Sequence, residues 1–124
     1  MKLRRLREDA VLGDGDVLVR GGELDPGAIR VDALRYYSIY GSYGISVFAV
    51  RDVTLDEMAQ QVPLVRFAWL ALIKVKDARR AGLRLEPTGR NPRHYTLGFD
   101  DLAEGIRQLA GCEHRVVPNA YHDA

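Results

Sequence analysis

Leu83 to Phe99 reads LRLEPTGRNPRHYTLGF, and this stretch decides the fold. Leu83-Arg84-Leu85 and Tyr95-Thr96-Leu97 alternate apolar and polar side chains around an interval carrying Pro87, Gly89, Asn91 and Pro92. Such alternation, broken by proline, glycine and asparagine, predicts two strands joined by a connection longer than a tight hairpin. The tip of that connection presents Arg90, Arg93 and His94 from a backbone stiffened by two prolines. It is the densest group of polar side chains with acid–base or phosphate-binding chemistry in the chain.

Upstream, Val17-Leu18-Val19 predicts a short buried strand, ended by Arg20-Gly21-Gly22. Asp25-Pro26 opens a helix, a carboxylate N-cap followed by proline at the first helical position. Ile29, Ala33, Leu34 and Tyr37 continue it at 3.6-residue spacing. A glycine- and tyrosine-rich loop, Ser38 to Gly44, precedes a second buried strand at Ile45 to Val50. Thr54 and Glu57 have the spacing of a capping box, for a helix ending before Pro63. Ala71 to Val75 suits a strand with Lys74 and Lys76 turned outward. Asp77 to Ala81 is a single helical turn stopped by Gly82.

Beyond the central pair, Asp100 or Asp101 caps a last helix, with Glu104 completing a box and Gly111 at C′. Arg115-Val116-Val117 is a final strand. The order β-α-β-α-β-β-β-α-β predicts a single α+β domain: one mixed or largely antiparallel sheet with helices mainly on one face. Residues 1–12 are expected to be a short helix or a frayed arm, with Leu3, Leu6 and Ala10 at helical spacing, and residues 118–124 a tail.

With 124 residues, 47% of them hydrophobic and 28% charged, the chain has the composition of an ordinary globular domain. The longest apolar run, Phe67 to Ile73, is far short of the roughly 20 residues of a membrane span. No apolar h-region follows the basic MKLRRLRED, so no secretory signal is expected. The lone Cys112 has no internal disulfide partner, which suits a reduced, cytoplasmic setting. Between Arg66 and Arg93 eight basic residues stand against two acids, whereas the net charge is only +1. That asymmetry suggests a face for phosphate; the plain alternative is arginines solvating strand edges.

Several chemistries are disfavoured. Gly13-Asp14-Gly15-Asp16 and Gly41-Ser42-Tyr43-Gly44 lack the residues of a phosphate or dinucleotide loop. Cys112, Glu113-His114 and His122-Asp123 match no zinc spacing. Gly44-Ile45-Ser46-Val47-Phe48 lacks the second glycine of a nucleophile elbow. What remains fits RNA cleavage by its own 2′-hydroxyl, which needs a base, an acid and a cation and no metal or other cofactor. On this reading Arg90, Arg93 and His94 form a catalytic edge. Arg20 is a second phosphate contact, and Tyr40 and Tyr43 stack on unpaired bases. Each residue also has a structural reading: His94 at a strand edge, and Tyr36 and Tyr37 in the core. Arg20 resists this, since a charge after a buried strand must be paired or face a cleft.

A second pattern is Arg20 at the end of the first strand, Ser46 in YGISVFA and Glu113 in CEHRVVP. This resembles the Arg–Ser–Glu order of the ADP-ribosyltransferase fold. The resemblance implies that Arg20 holds NAD phosphate, Ser46 braces the site and Glu113 binds the nicotinamide ribose. The chain departs from that pattern in having one serine for Ser-Thr-Ser and no acid or glutamine two residues before Glu113.

The small single-domain build and arginine-rich face look like the toxin partner of a bacterial toxin–antitoxin pair. Such toxins are commonly ribonucleases and less often NAD-using transferases, and they pair with an antitoxin protein. A non-enzymatic module docking nucleic acid or an acidic protein is the third reading. The apolar Tyr36 to Tyr43 region is a candidate contact for a homo-oligomer.

Overall fold

The computed structural model describes residues 1–7 and 12–122. Six strands, β1 (Val17–Gly21), β2 (Tyr43–Ala49), β3 (Trp69–Lys74), β4 (Arg84–Pro87), β5 (His94–Phe99) and β6 (Arg115–Pro118), form one sheet. Its order is β4-β5-β2-β1-β3-β6, and every pairing is antiparallel. The helices are α1 (Pro26–Tyr40), α2 (Leu55–Ala59), α3 (Val75–Arg80) and α4 (Leu102–Gly111), with a 3-10 turn at Leu64–Arg66. The domain is therefore α+β, as the pattern predicts.

Strand alternation divides the buried side chains between two faces. Leu18, Val47, Ile73 and Leu97 meet Ile29 and Ala33 of α1, Ala78 of α3 and Leu109 of α4 in the larger core. Val19 and Leu70, on the other face, meet Met58 and Ala59 of α2 and Leu64. Helices thus lie mainly on one face, also as expected.

The sheet is joined unevenly. β2 and β5 share six registered pairs and β1 and β3 share five, but β1 and β2 share only Leu18↔Ala49 and Val19↔Phe48. Past Val19 the two strands part, leaving halves β4-β5-β2 and β1-β3-β6. Side chains of α1 reach both halves: Asp32 pairs with Arg20 of β1, and Tyr36 bonds to Thr96 of β5. Gly44 makes room for this. A Cβ there would fall 2.5 Å from Thr96 Cγ2 and 3.5 Å from Tyr36 Cε1.

The helix starts follow their sequence signals. Asp25 accepts from the Ala28 amide, Thr54 and Glu57 form the reciprocal capping box, and Asp101 accepts from the Glu104 amide. Some boundaries differ. α1 runs through Tyr40 and stops at Gly41, whose φ of 75° is the left-handed conformation glycine favours. Tyr40 therefore lies on a helix and Tyr43 in a strand, not in a loop. α2 ends at Ala59, before the expected end near Val62. Gly111 is the last helical residue, with Cys112 as cap, and Glu104 pairs with Arg107.

The N-terminal segment is neither a helix nor a loose arm over residues 1–7. It is extended, bridges Leu6 to Thr88, and donates from Lys2 N to Ile39 O at 2.7 Å. Ala10 lies outside the described residues. Arg7 supplies the anchor: its guanidinium donates to the carbonyls of Thr88, Asn91, Pro92 and His94 and sits 5.1 Å from the Tyr95 ring centre. The far tail is held as well, because buried Asn119 donates to the carbonyls of Ala59 and Leu64.

Candidate functional site

The parting of β1 from β2 opens a cleft of about 490 Å³. Arg20, Ser46, Tyr36, Tyr40, Phe48, Thr88 and His94 line it, together with Arg4, Arg5, Arg35 and Asp32. Four arginines line it against one carboxylate, and Glu86 beside it pairs with Arg4 at 2.9 Å, so an excess of positive charge is left. A neighbouring cleft of about 330 Å³ shares Arg20, Gly21, Asp32 and Phe67 with it.

Arg20 is 4% exposed. Its Nη2 pairs with Asp32 at 2.7 Å and its Nε donates to Glu23 O at 3.3 Å. Pairing with one carboxylate makes burial tolerable, and the guanidinium still forms part of the wall of both clefts. Ser46 is exposed on β2, opposite Thr96 of β5. Phe48 stands opposite His94, their rings edge-on with centroids 5.2 Å apart.

His94 Nδ1 lies 3.0 Å from the Thr88 carbonyl and 3.0 Å from Thr88 Oγ1. A carbonyl only accepts, so Nδ1 carries the proton and the neutral ring keeps its lone pair on Nε2. Burial holds the imidazole below the usual histidine value; the bond to Thr88 O opposes this and the Arg7 charge adds to it. Thr88 Oγ1 is 2.8 Å from Thr96 Oγ1, which is 3.1 Å from Tyr36 Oη.

Of the residues singled out in the sequence, Arg20, Ser46, Tyr40 and His94 meet in this cleft. Others do not. Arg90 is exposed at the tip and outside the cleft. Arg93 turns its Nε to Arg51 O at 2.9 Å, so the expected Arg90–Arg93–His94 edge does not assemble around the cleft. Tyr43 stacks between Tyr37 and Phe99, with centroids 4.5 and 6.1 Å away. Glu113 is exposed between α4 and β6 and does not join Arg20 and Ser46. Its neighbour Cys112 is buried, which raises the thiol pKa to about 11. His114 Nδ1 is bonded to Cys112 O.

The basic run from Arg66 to Arg93 does not gather on one face. Arg79, on α3, pairs with Asp14, and Arg84, on the edge strand β4, pairs with Asp100. The cleft takes its cations from β1, α1 and the N-terminal segment instead. Arg4, Arg5 and Arg35 carry no local motif that marks them for a site, since only docking of residues 1–7 beside β4 brings the first two there. Tyr36 was readable as core and is both core and cleft wall. Among the described residues no helix is long and apolar enough to cross a membrane.

No protein-family model matches the chain, and comparison with curated proteins and with solved structures gave no significant match.

Proposed function

We propose that the cleft is a nucleotide site and that the protein is a small toxin-like enzyme acting in the cytoplasm with NAD as ADP-ribosyl donor. The observation that carries this is the meeting of Arg20 and Ser46, from strands joined by two residue pairs, in one basic cleft. Its volume is in the range of ligand sites for molecules of this size. In this reading Arg20 and the neighbouring arginines hold the pyrophosphate. Tyr40 and Phe48 offer rings for the nicotinamide. The bond between the ribose C1′ and the nicotinamide nitrogen breaks, the electron pair leaves with nicotinamide, and a nucleophile of the target takes the ribosyl carbon. Glu113 has no part. The ribose contact it was expected to make falls to His94, whose Nε2 accepts hydrogen bonds.

The second reading is RNA cleavage without metal, favoured by His94 sharing the cleft with Arg20. It is the weaker, because the cations it drew on between Arg66 and Arg93 are dispersed or paired with carboxylates. Arg90 and Arg93 drop out of it, leaving His94 as acid or base.

Nicotinamide released from NAD is the test. Release by the parent, at least tenfold lower in Ser46→Ala and Arg20→Lys but unaltered in Glu113→Gln, is the expected result. No release, combined with cleavage of RNA in EDTA that disappears in His94→Gln, would transfer the site to the second reading.

A further inference from the structure

We infer that the Tyr36 hydroxyl is a hydrogen-bond donor to the cleft, its direction set by a one-way chain of hydroxyls beginning at His94. With His94 Nε2 as acceptor, it would recognise the hydroxyl groups of a ribose. The inference deepens the nucleotide reading and rests on it.

The direction follows from counting protons. Thr88 O can only accept, which puts the proton on His94 Nδ1. Thr88 Oγ1, 3.0 Å from that same nitrogen, then faces an N–H and accepts as well. Its own proton is therefore available to Thr96 Oγ1 at 2.8 Å. Buried Thr96 has only Tyr36 Oη, at 3.1 Å, as an acceptor for its own proton, and accepting from Tyr36 as well would leave that proton unpaired, so Thr96 donates to Tyr36. Thr96 is fully buried and Thr88 nearly so, leaving the protein groups as the partners for these hydroxyls. Reversing the chain would turn the Thr88 hydroxyl proton towards Nδ1–H. Removing the Nδ1 proton instead would set a nitrogen lone pair 3.0 Å from the Thr88 carbonyl oxygen. Both arrangements are repulsive.

The chain ends at Tyr36, whose own proton has no acceptor within it. Arg4, the cation near Tyr36, can only donate. Tyr36 is 9% exposed and forms part of the cleft wall, so its proton is directed to an oxygen in the cleft, a water that a ligand hydroxyl would replace. A donor and an acceptor held on one wall complement a vicinal diol, which can both accept and donate.

Two measurements test this. Long-range proton–nitrogen correlation spectra of the ¹⁵N-labelled parent should show His94 with Nδ1 protonated and Nε2 bare; the opposite tautomer overturns the inference. Calorimetric titration with ADP-ribose should then show Tyr36→Phe binding about five- to tenfold more weakly, the loss of one hydrogen bond. Tyr37→Phe, stacked outside the cleft on Tyr43, should bind as the parent does. Equal affinity in Tyr36→Phe overturns the inference and leaves the nucleotide site standing. If Tyr36→Phe fails to fold, an ADP-ribose analogue with both terminal ribose hydroxyls methylated replaces it, and undiminished binding by the parent is the overturning result. Absence of ADP-ribose binding by the parent removes the nucleotide reading and this inference together.

Discussion

At the scale of single residues, the cleft holds two polar groups that burial would ordinarily disfavour, and each is accommodated differently. Arg20 is paired with Asp32, 2.7 Å away. His94 gives its charge up: burial depresses its pKa below the ordinary 6.5. The sign of the resulting pH dependence follows. The unfolded chain binds this proton more readily than the folded one, so His94 contributes stability above the unfolded value. That contribution is lost as pH falls through 6.5 to the folded value. Urea midpoints compared between about pH 7.5 and about pH 5 should fall for the parent and fall less for His94→Gln. Equal slopes would mean that His94 is protonated as easily folded as unfolded.

At the scale of elements, the N-terminal segment and the β4–β5 connection make one structure. The Arg7 guanidinium bonds to four carbonyl groups of the connection, with Gly89 O a longer fifth at 3.4 Å. The same carbonyls belong to residues that orient His94. Arg7→Ala should therefore cost about 2 kcal/mol in chemical denaturation, the scale of lost charge-assisted bonds in a half-buried setting. It should also raise amide exchange from Thr88 to His94. Arg7→Lys recovers little, since an ammonium cannot span the fork of acceptors. Protection unchanged in Arg7→Ala would show that the two prolines alone hold the tip.

At the scale of the whole molecule, the division of the sheet creates the site. Two registered pairs join its halves, and α1 holds them together from one side through Ile29 and Ala33 in the larger core. Ile29 is fully buried, so Ile29→Ala should cost about 3 kcal/mol in urea unfolding. Ligand affinity should fall with it, because Asp32 and Tyr36 ride on the same helix. A variant that loses stability while binding ADP-ribose normally would show that the cleft does not depend on the seating of α1.

Local signals carried a good part of this description. The strand pair flanking Pro87 to Pro92, the caps at Asp25, Thr54 and one of Asp100 and Asp101, and the α+β order are all properties of neighbouring residues, so the sequence contained them. The candidate site was legible only in pieces. Arg20 stood out because an arginine beside a buried strand needs a partner, although the partner, Asp32, lies on a different element. Glu113 matched by order along the chain, yet chain order does not determine which strand ends face one another.

The sequence by itself determined most of the elements, the helix starts and the class of fold, since these depend on periodicity and on backbone preferences within a few residues. Only the tertiary structure decided where the charge goes. Coulombic pairing and burial depend on distance through space, so Arg79 and Arg84 pair with Asp14 and Asp100 away from the cleft, while Arg4, Arg5, Arg20 and Arg35, far apart in the chain, line it, Arg4 paired with Glu86 and Arg20 with Asp32.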